Sequence, residues 1–253
     1  MQFSANLGFL WPELALPDAI RAAKAAGFDA VECHWPYDVP AALVKTALDE
    51  TGLPMLGLNT RRGDVAGGDN GLSAIPGREA EARAAIDEAV DYARAIGAKC
   101  IHVMAGFAEG ADAEKTFVEN LCYAAEQADS FGITILIEPL NRHDAPGYFL
   151  TDLAMAETIL AKVALPNVKL MFDCYHVGRT EGDVIDNLGR FLPLVGHIQF
   201  ASVPDRGAPD HGAVDYATVF DAIARLGWGT PLGAEYKPVG DTDDTLGWMA
   251  QYR

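Results

Sequence analysis

Residues 132–138 read Gly-Ile-Thr-Ile-Leu-Ile-Glu, and the reading of this stretch decides the fold. Five consecutive apolar or β-branched residues suit a buried strand and are too few for a helix. Upstream, Ala113–Phe131 has helical spacing, and Gly132 stands where a helix hands over to left-handed backbone. Downstream, Asp152–Val163 is helical again. Working outward, the same unit recurs. Strands are expected at Phe3–Leu10, Ala30–His34, Pro54–Leu58, Cys100–Met104, Thr134–Glu138, Val168–Asp173, Val195–Phe200 and Pro231–Glu235. Between them lie helical patterns at Pro17–Ala26, Pro40–Thr51, a segment ending at Ile96, Ala113–Phe131, Asp152–Val163, Asp183–Leu192 and Asp215–Leu226, with a short one near Thr245–Tyr252. Gly27, Gly52, Gly97 and Gly227 punctuate helix ends as Gly132 does. Eight strand–helix units in 253 residues predict one parallel sheet closed into an α/β (β/α)₈ TIM barrel, a single domain over 1–253. An open doubly wound sheet is the weaker alternative, because no GxGxxG follows the first strand.

Composition narrows the partners. Half of the residues are hydrophobic, enough for a large core, but no apolar run reaches the roughly 18 residues a membrane span needs. The start, Met1-Gln2-Phe3-Ser4, has no basic leader pattern, and four scattered cysteines read as reduced thiols, so a cytoplasmic location is expected. A net charge of −17 would repel a phosphate backbone, so nucleic acid is not an expected partner. A homo-oligomer is compatible with the sequence, although no heptad or exposed apolar helix marks an interface.

In a parallel barrel the strand C-termini share one face, where chemistry is done. Three apolar strands run into carboxylates there, at Glu138, Asp173 and Glu235. Gln199 lies near the end of the seventh strand, Glu32 ends the second, and His102 lies in the fourth. A lone carboxylate at a strand end is commonly just solvated; three converging ones repel, and a divalent cation relieves that. Three carboxylates and an amide oxygen are hard ligands, suited to Mg²⁺ or Mn²⁺.

Four motifs then fall in order: Glu138-Pro-Leu-Asn-Arg-His-Asp-Ala-Pro-Gly147, Asp173-Cys-Tyr-His176, His197-Ile-Gln-Phe-Ala-Ser-Val-Pro-Asp-Arg206 and Ala234-Glu-Tyr-Lys-Pro238. With Val31-Glu32 and Pro36-Tyr37-Asp38, they resemble the hydroxypyruvate isomerase family, including 2-oxo-tetronate isomerases, among the xylose-isomerase-like barrels. The resemblance covers essentially the whole chain. It implies Glu138, Asp173, Gln199 and Glu235 as metal ligands, and Glu138 and Glu235 as the two proton-transfer residues. It implies His176 and Arg206 as substrate-holding residues. Glu32, His102 and Lys237 join them as substrate-site candidates on position alone, each with a plainer role as an orienting or solvated group. The chain departs from the family at Gly207-Ala208-Pro209 and Gly212-Ala213, where carboxylates are usual, and at His143, with Arg142 beside it.

The implied reaction interconverts a small keto or aldehyde hydroxy acid through an enediolate, as in hydroxypyruvate to tartronate semialdehyde or a 2-oxo-tetronate isomerisation. One glutamate takes a carbon-bound proton and the other returns one. Arg206 would hold the substrate carboxylate, against a plain reading as a turn arginine in Pro204-Asp-Arg-Gly207. The long loop Asn59–Gly77, with Arg61, Arg62 and Gly67-Gly68, reads as an active-site lid or a mobile surface excursion. Rival readings are a ketose or inosose epimerase or dehydratase, which would prefer an uncharged substrate, and a catalytically silent sugar-binding barrel.

Overall fold

In the computed structural model, which describes residues 1–252, eight strands run parallel in the order β2-β1-β8-β7-β6-β5-β4-β3. They are β1 (Phe3–Asn6), β2 (Ala30–Glu32), β3 (Gly57–Asn59), β4 (Cys100–His102), β5 (Thr134–Ile137), β6 (Val168–Asp173), β7 (Val195–Phe200) and β8 (Leu232–Ala234). The seam between β2 and β3 is bridged by the segment before β3. Val31 N donates to Pro54 O (3.0 Å), Leu56 N to Val31 O (2.7 Å) and Cys33 N to Gly57 O (3.0 Å). The run expected as the third strand, 54–58, thus divides its work: 54–57 pairs with β2, and 57–59 pairs with β4. The predicted barrel is the observed architecture.

The helices are α1 (Leu16–Ala26), α2 (Ala41–Thr51), α3 (Glu79–Ile96), α4 (Gly110–Asp129), α5 (Leu153–Val163), α6 (Cys174–Thr180), α7 (Val184–Phe191) and α8 (Tyr216–Arg225). The five punctuating glycines all have positive φ. Asp152 and Asp183 cap α5 and α7 by accepting from Met155 N (2.8 Å) and Asp186 N (3.1 Å). A 3₁₀ segment, Thr242–Tyr252, replaces the terminal helix and seats Trp248 edge-on against Phe3, 4.8 Å between ring centroids. Burying aromatic rings of this kind stabilises by roughly 1.5–3 kcal/mol each.

Two differences from the expected elements shape the site. The first strand stops at Asn6 rather than Leu10, because Asn6 O accepts Leu10 N (2.9 Å) and Asn6 Oδ1 accepts Gly8 N (2.9 Å). The turn leaves Asn6 at a strand end. Helix α6 begins directly after β6, where no helix was expected. Asp173 supplies its cap, with Oδ1 accepting Tyr175 N at 2.8 Å, so Asp173 and His176 lie one turn apart. The loop 59–77 is fastened down: Asn120 Nδ2 donates to Ser73 O (2.9 Å), Ala74 N to Ala105 O (2.7 Å), and Asp69 takes both bonds of Arg78 Nη1 (2.8 Å each).

Candidate active site

Glu138 and Glu235 follow β5 and β8, Asp173 ends β6, Gln199 is one residue short of the end of β7, and all four are buried at the C-terminal mouth. Glu138 Oε1, Asp173 Oδ2 and Gln199 Oε1 have no hydrogen-bond partner. A buried orphan oxygen costs about 1–3 kcal/mol, more when charged, so three such atoms at one mouth mark a place built for a ligand.

The orphans are aimed by their other halves. Asp173 spends Oδ1 on capping α6. Gln199 donates Nε2 to Glu32 Oε1 at 2.7 Å; a carboxylate only accepts, so the amide oxygen must face the other way. Glu32 is thereby placed differently from the substrate contact expected of it. Its Oε1 also takes Asn6 Nδ2 (3.0 Å) and its Oε2 meets His197 Nε2 (2.7 Å), so both oxygens are engaged inside the barrel. Its geometry is that of an orienting group beneath Gln199. Gly233 makes room for this pair: a Cβ there would lie 2.6 Å from Glu32 Oε1 and 2.8 Å from Gln199 Cγ. Gly233→Ala is expected to lower stability by about 1–3 kcal/mol, read as a fall in Tm. Glu32→Gln, which replaces the carboxylate, is expected to weaken Mn²⁺ binding about ten- to a hundred-fold with an unchanged fold. Calorimetric titration checks it, and unaltered affinity would show that Glu32 does not orient Gln199.

Glu235 is committed on both oxygens. Oε1 accepts His34 Nε2 (2.9 Å) and Asn6 Nδ2 (3.1 Å), and Oε2 accepts Arg206 Nη2 (2.7 Å). Arg206 also lies 3.8 Å from Asp173 Oδ2, with its guanidinium over the rings of Phe9 and Tyr175, 4.9 Å from each centroid. It holds φ at 59°, a strained value for a non-glycine, with its backbone pinned by Ser202 O (2.8 Å) and Lys237 N (2.7 Å). Lys237 contributes that amide; its side chain is exposed at the rim, with Nζ 5.8 Å from the Phe9 ring.

His176 is buried, with Nε2 3.8 Å from Glu138 Oε1 and 3.7 Å from Asp173 Oδ2. With those two carboxylates it makes the one cluster of metal-ligating types among the described residues. Its Nδ1, however, accepts the backbone N–H of Asn141 at 3.0 Å. Burial, with Arg206 nearby, lowers its pKa to about 3, so the ring is neutral and its proton sits on Nε2. That makes His176 a donor into the site rather than a ligand, consistent with a substrate-holding role. His102 faces the same glutamate, Nδ1 3.6 Å from Glu138 Oε2, with burial lowering its pKa to about 4 and neither nitrogen bonded.

The electrostatics split the two glutamates. Burial, then the charges of Glu235 and Asp173, push the Glu138 carboxyl well above the ordinary range. Burial and Glu235 raise Asp173 to about 7. Burial acts the same way on Glu235, but Arg206 and His34 overcome it and hold that carboxyl well below the usual range. One glutamate is therefore disposed to carry a proton and the other to lack one, the arrangement acid–base chemistry needs.

Sequence reasoning did not single out Asn6, His34 or Asn141. Asn6 lies inside a strand pattern that Leu7, Phe9 and Leu10 carry past it, and His34 and Asn141 carry no signal that distinguishes them from loop residues. Arg142 and His143, at a departure from the family pattern, are exposed, and Arg142 turns to Thr151 Oγ1 (3.3 Å).

A family model for xylose isomerase-like TIM barrels matches residues 20–252. A 2-oxo-tetronate isomerase of Cupriavidus necator is 43% identical, over 99% of this chain and 98% of that protein. The chain belongs to the hydroxypyruvate isomerase family of xylose isomerase-like barrels. Family membership carries the isomerase class with it. Hydroxypyruvate isomerase of Escherichia coli is 37% identical, over the full length of both chains. A solved structure from Brucella melitensis, described as an AP endonuclease of family 2, superposes with a TM-score of 0.96 at 38% identity, covering 100% of this chain and 99% of that one. Among the described residues no helix is long and apolar enough to cross a membrane.

Proposed function

We propose that this member of the family isomerises a small hydroxy-oxo acid, of the hydroxypyruvate or 2-oxo-tetronate type, by proton transfer between neighbouring carbons through Glu138 and Glu235. The observation that carries the reading is a pair of buried glutamates at one mouth in unlike surroundings, Glu235 gripped on both oxygens and Glu138 with Oε1 left open. Beside this, burial and charge shift the two carboxyls in opposite directions. Glu235, ionised and held by His34, Asn6 and Arg206, is the group suited to take a proton from carbon. Glu138, buried across the mouth, is the group suited to deliver a proton to the neighbouring carbon; in the reverse direction the roles exchange. His176 offers its Nε2 proton to a substrate oxygen, and His102 stands behind Glu138.

A divalent cation fits the donor set. The orphan oxygens of Glu138, Asp173 and Gln199 would hold it, and Glu235 would join through a free lone pair on a carboxylate already hydrogen-bonded. Mn²⁺ or Mg²⁺ suits an all-oxygen set, and when bound it supplies charge stabilisation for the negative oxygens of the enediolate.

The endonuclease description of the Brucella structure is not carried over, since a net charge of −17 opposes binding a phosphate backbone. A silent sugar-binding role leaves the splitting of Glu138 and Glu235 without a use. The substrate reading is tested by comparing kcat/KM for hydroxypyruvate with that for dihydroxyacetone, which has an alcohol where hydroxypyruvate has its carboxylate. The acid is expected to be preferred by at least about a hundred-fold, the worth of a charged hydrogen bond. Equal rates would favour the epimerase reading.

A further inference from the structure

Arg206 is the cation the family pattern assigns to the substrate, but here its charge is spent on Glu235 at 2.7 Å and Asp173 at 3.8 Å. A second arginine at the mouth is not spent. Arg62 follows β3 and stacks on the indole of Trp35, with Cζ 3.7 Å from the ring centroid. No carboxylate or other acceptor meets its guanidinium among the described residues. Its neighbour Arg61 is the contrast, bonded to Glu88 at 2.7 and 3.1 Å and lying 3.7 Å from Asp38. Asp69, the nearby acid in the same loop, is taken by Arg78. In a chain with 36 acidic and 19 basic residues, a half-buried arginine without an anion is a group in want of one. Burial alone acts on its pKa, and lowers it.

The position is fixed and on the right wall. Trp35 Nε1 donates to Thr60 O (3.1 Å), and Arg62 O accepts Gly71 N (2.9 Å). The Trp35 ring adjoins His34, centroids 5.0 Å apart, and His34 Nε2 meets Glu235 at 2.9 Å. An aromatic wall therefore runs from the buried glutamate to the free guanidinium. Stacking covers one face of the guanidinium and leaves its N–H edge for a ligand.

We propose that Arg62, held on Trp35, is a specificity residue that receives the carboxylate of the substrate acid, while Arg206 serves the buried carboxylates. The assignment rests on the small-acid reading above. Its test uses tartronate, a hydroxy diacid, titrated calorimetrically into the wild type, Arg62→Gln and Arg62→Lys in the presence of Mn²⁺, alongside KM and kcat for hydroxypyruvate. Arg62→Gln is expected to weaken tartronate binding and raise KM about ten- to a hundred-fold, with kcat within about two-fold; Arg62→Lys recovers part of the loss. Turnover of dihydroxyacetone, which has no carboxylate, is expected to be unchanged by either substitution; a purely packing role for Arg62 would move it too. Equal tartronate binding by wild type and Arg62→Gln, or no binding by the wild type, overturns the assignment. Binding that depends on Arg62 without isomerisation of any acid would uphold it and refute the reaction instead.

Discussion

Glu138→Gln and Glu235→Gln are each expected to lower kcat by about 10²–10⁴ at saturating Mn²⁺, the range a positioned proton-transfer group contributes. The two losses have different structural origins. Glu235→Gln replaces an anion gripped by Arg206, His34 and Asn6, so Arg206 keeps only Asp173, at 3.8 Å. Breaking a buried pair of this kind costs stability, about 3–5 kcal/mol. Glu138→Gln instead replaces a carboxyl that burial and its acidic neighbours already press towards neutrality. The metal-free Glu138→Gln protein is expected to fold at least as firmly as the wild type while losing turnover. Stability measured with activity therefore separates a lost proton-transfer group from a damaged barrel.

The second large effect is on pH and metal. A carboxyl whose pKa is raised on folding stabilises fully below its ordinary pKa, and that contribution is lost as pH rises through the folded value. Asp173 does this between its ordinary 3.8 and about 7, and Glu138, raised well above its ordinary 4.5, acts in the same direction. The buried histidines work the other way. His102 and His176, lowered to about 4 and about 3, cost stability as pH falls below the ordinary 6.5. Above 6.5 the two buried histidines no longer contribute. The raised carboxyls, joined by His211 beside Asp210 and Asp205 and by thiols raised through burial, all act in one direction, so the metal-free protein is expected to lose stability as pH rises from there. The slope is about 1.4 kcal/mol per pH unit for each proton retained, or roughly 3–5 °C in Tm for a chain of this size. Saturating Mn²⁺ is expected to flatten it by neutralising the carboxylates. Thermal melts at pH 6.5 and 8.5, with chelator and with Mn²⁺, check it; a slope unaffected by metal would mean that the orphan oxygens do not bind it.

The parts of this architecture legible in the sequence were those written locally. Ile133–Ile137 running into Glu138 declares both a strand and the chemistry at its end, and the barrel followed from repeating that unit. Helix α6 was hidden because Cys174–Thr180 is short and contains Gly178, whose bare Cα admits Val203: a Cβ would lie 3.0 Å from Val203 Cγ2. Asn6 was obscured by the apolar residues Leu7, Phe9 and Leu10, which extend the strand pattern past the real turn. Glu32 looked like a mouth residue because it ends β2. Its place inside the barrel is set by His197 and Gln199, brought by a strand more than 160 positions away, as no local pattern announces. The same holds for Arg62: its loop position was plain, but its lack of an anion emerges only when every nearby acid has found another partner.

The most direct test of proton transfer by the Glu138–Glu235 pair is solvent-deuterium incorporation in heavy water, followed by NMR across small 2-oxo and hydroxy acids with Mn²⁺ present. The wild type is expected to place deuterium on the carbon beside the carbonyl of hydroxypyruvate or a four-carbon 2-oxo acid, and Glu138→Gln and Glu235→Gln to incorporate little or none. Incorporation at the wild-type rate in both variants would contradict the account.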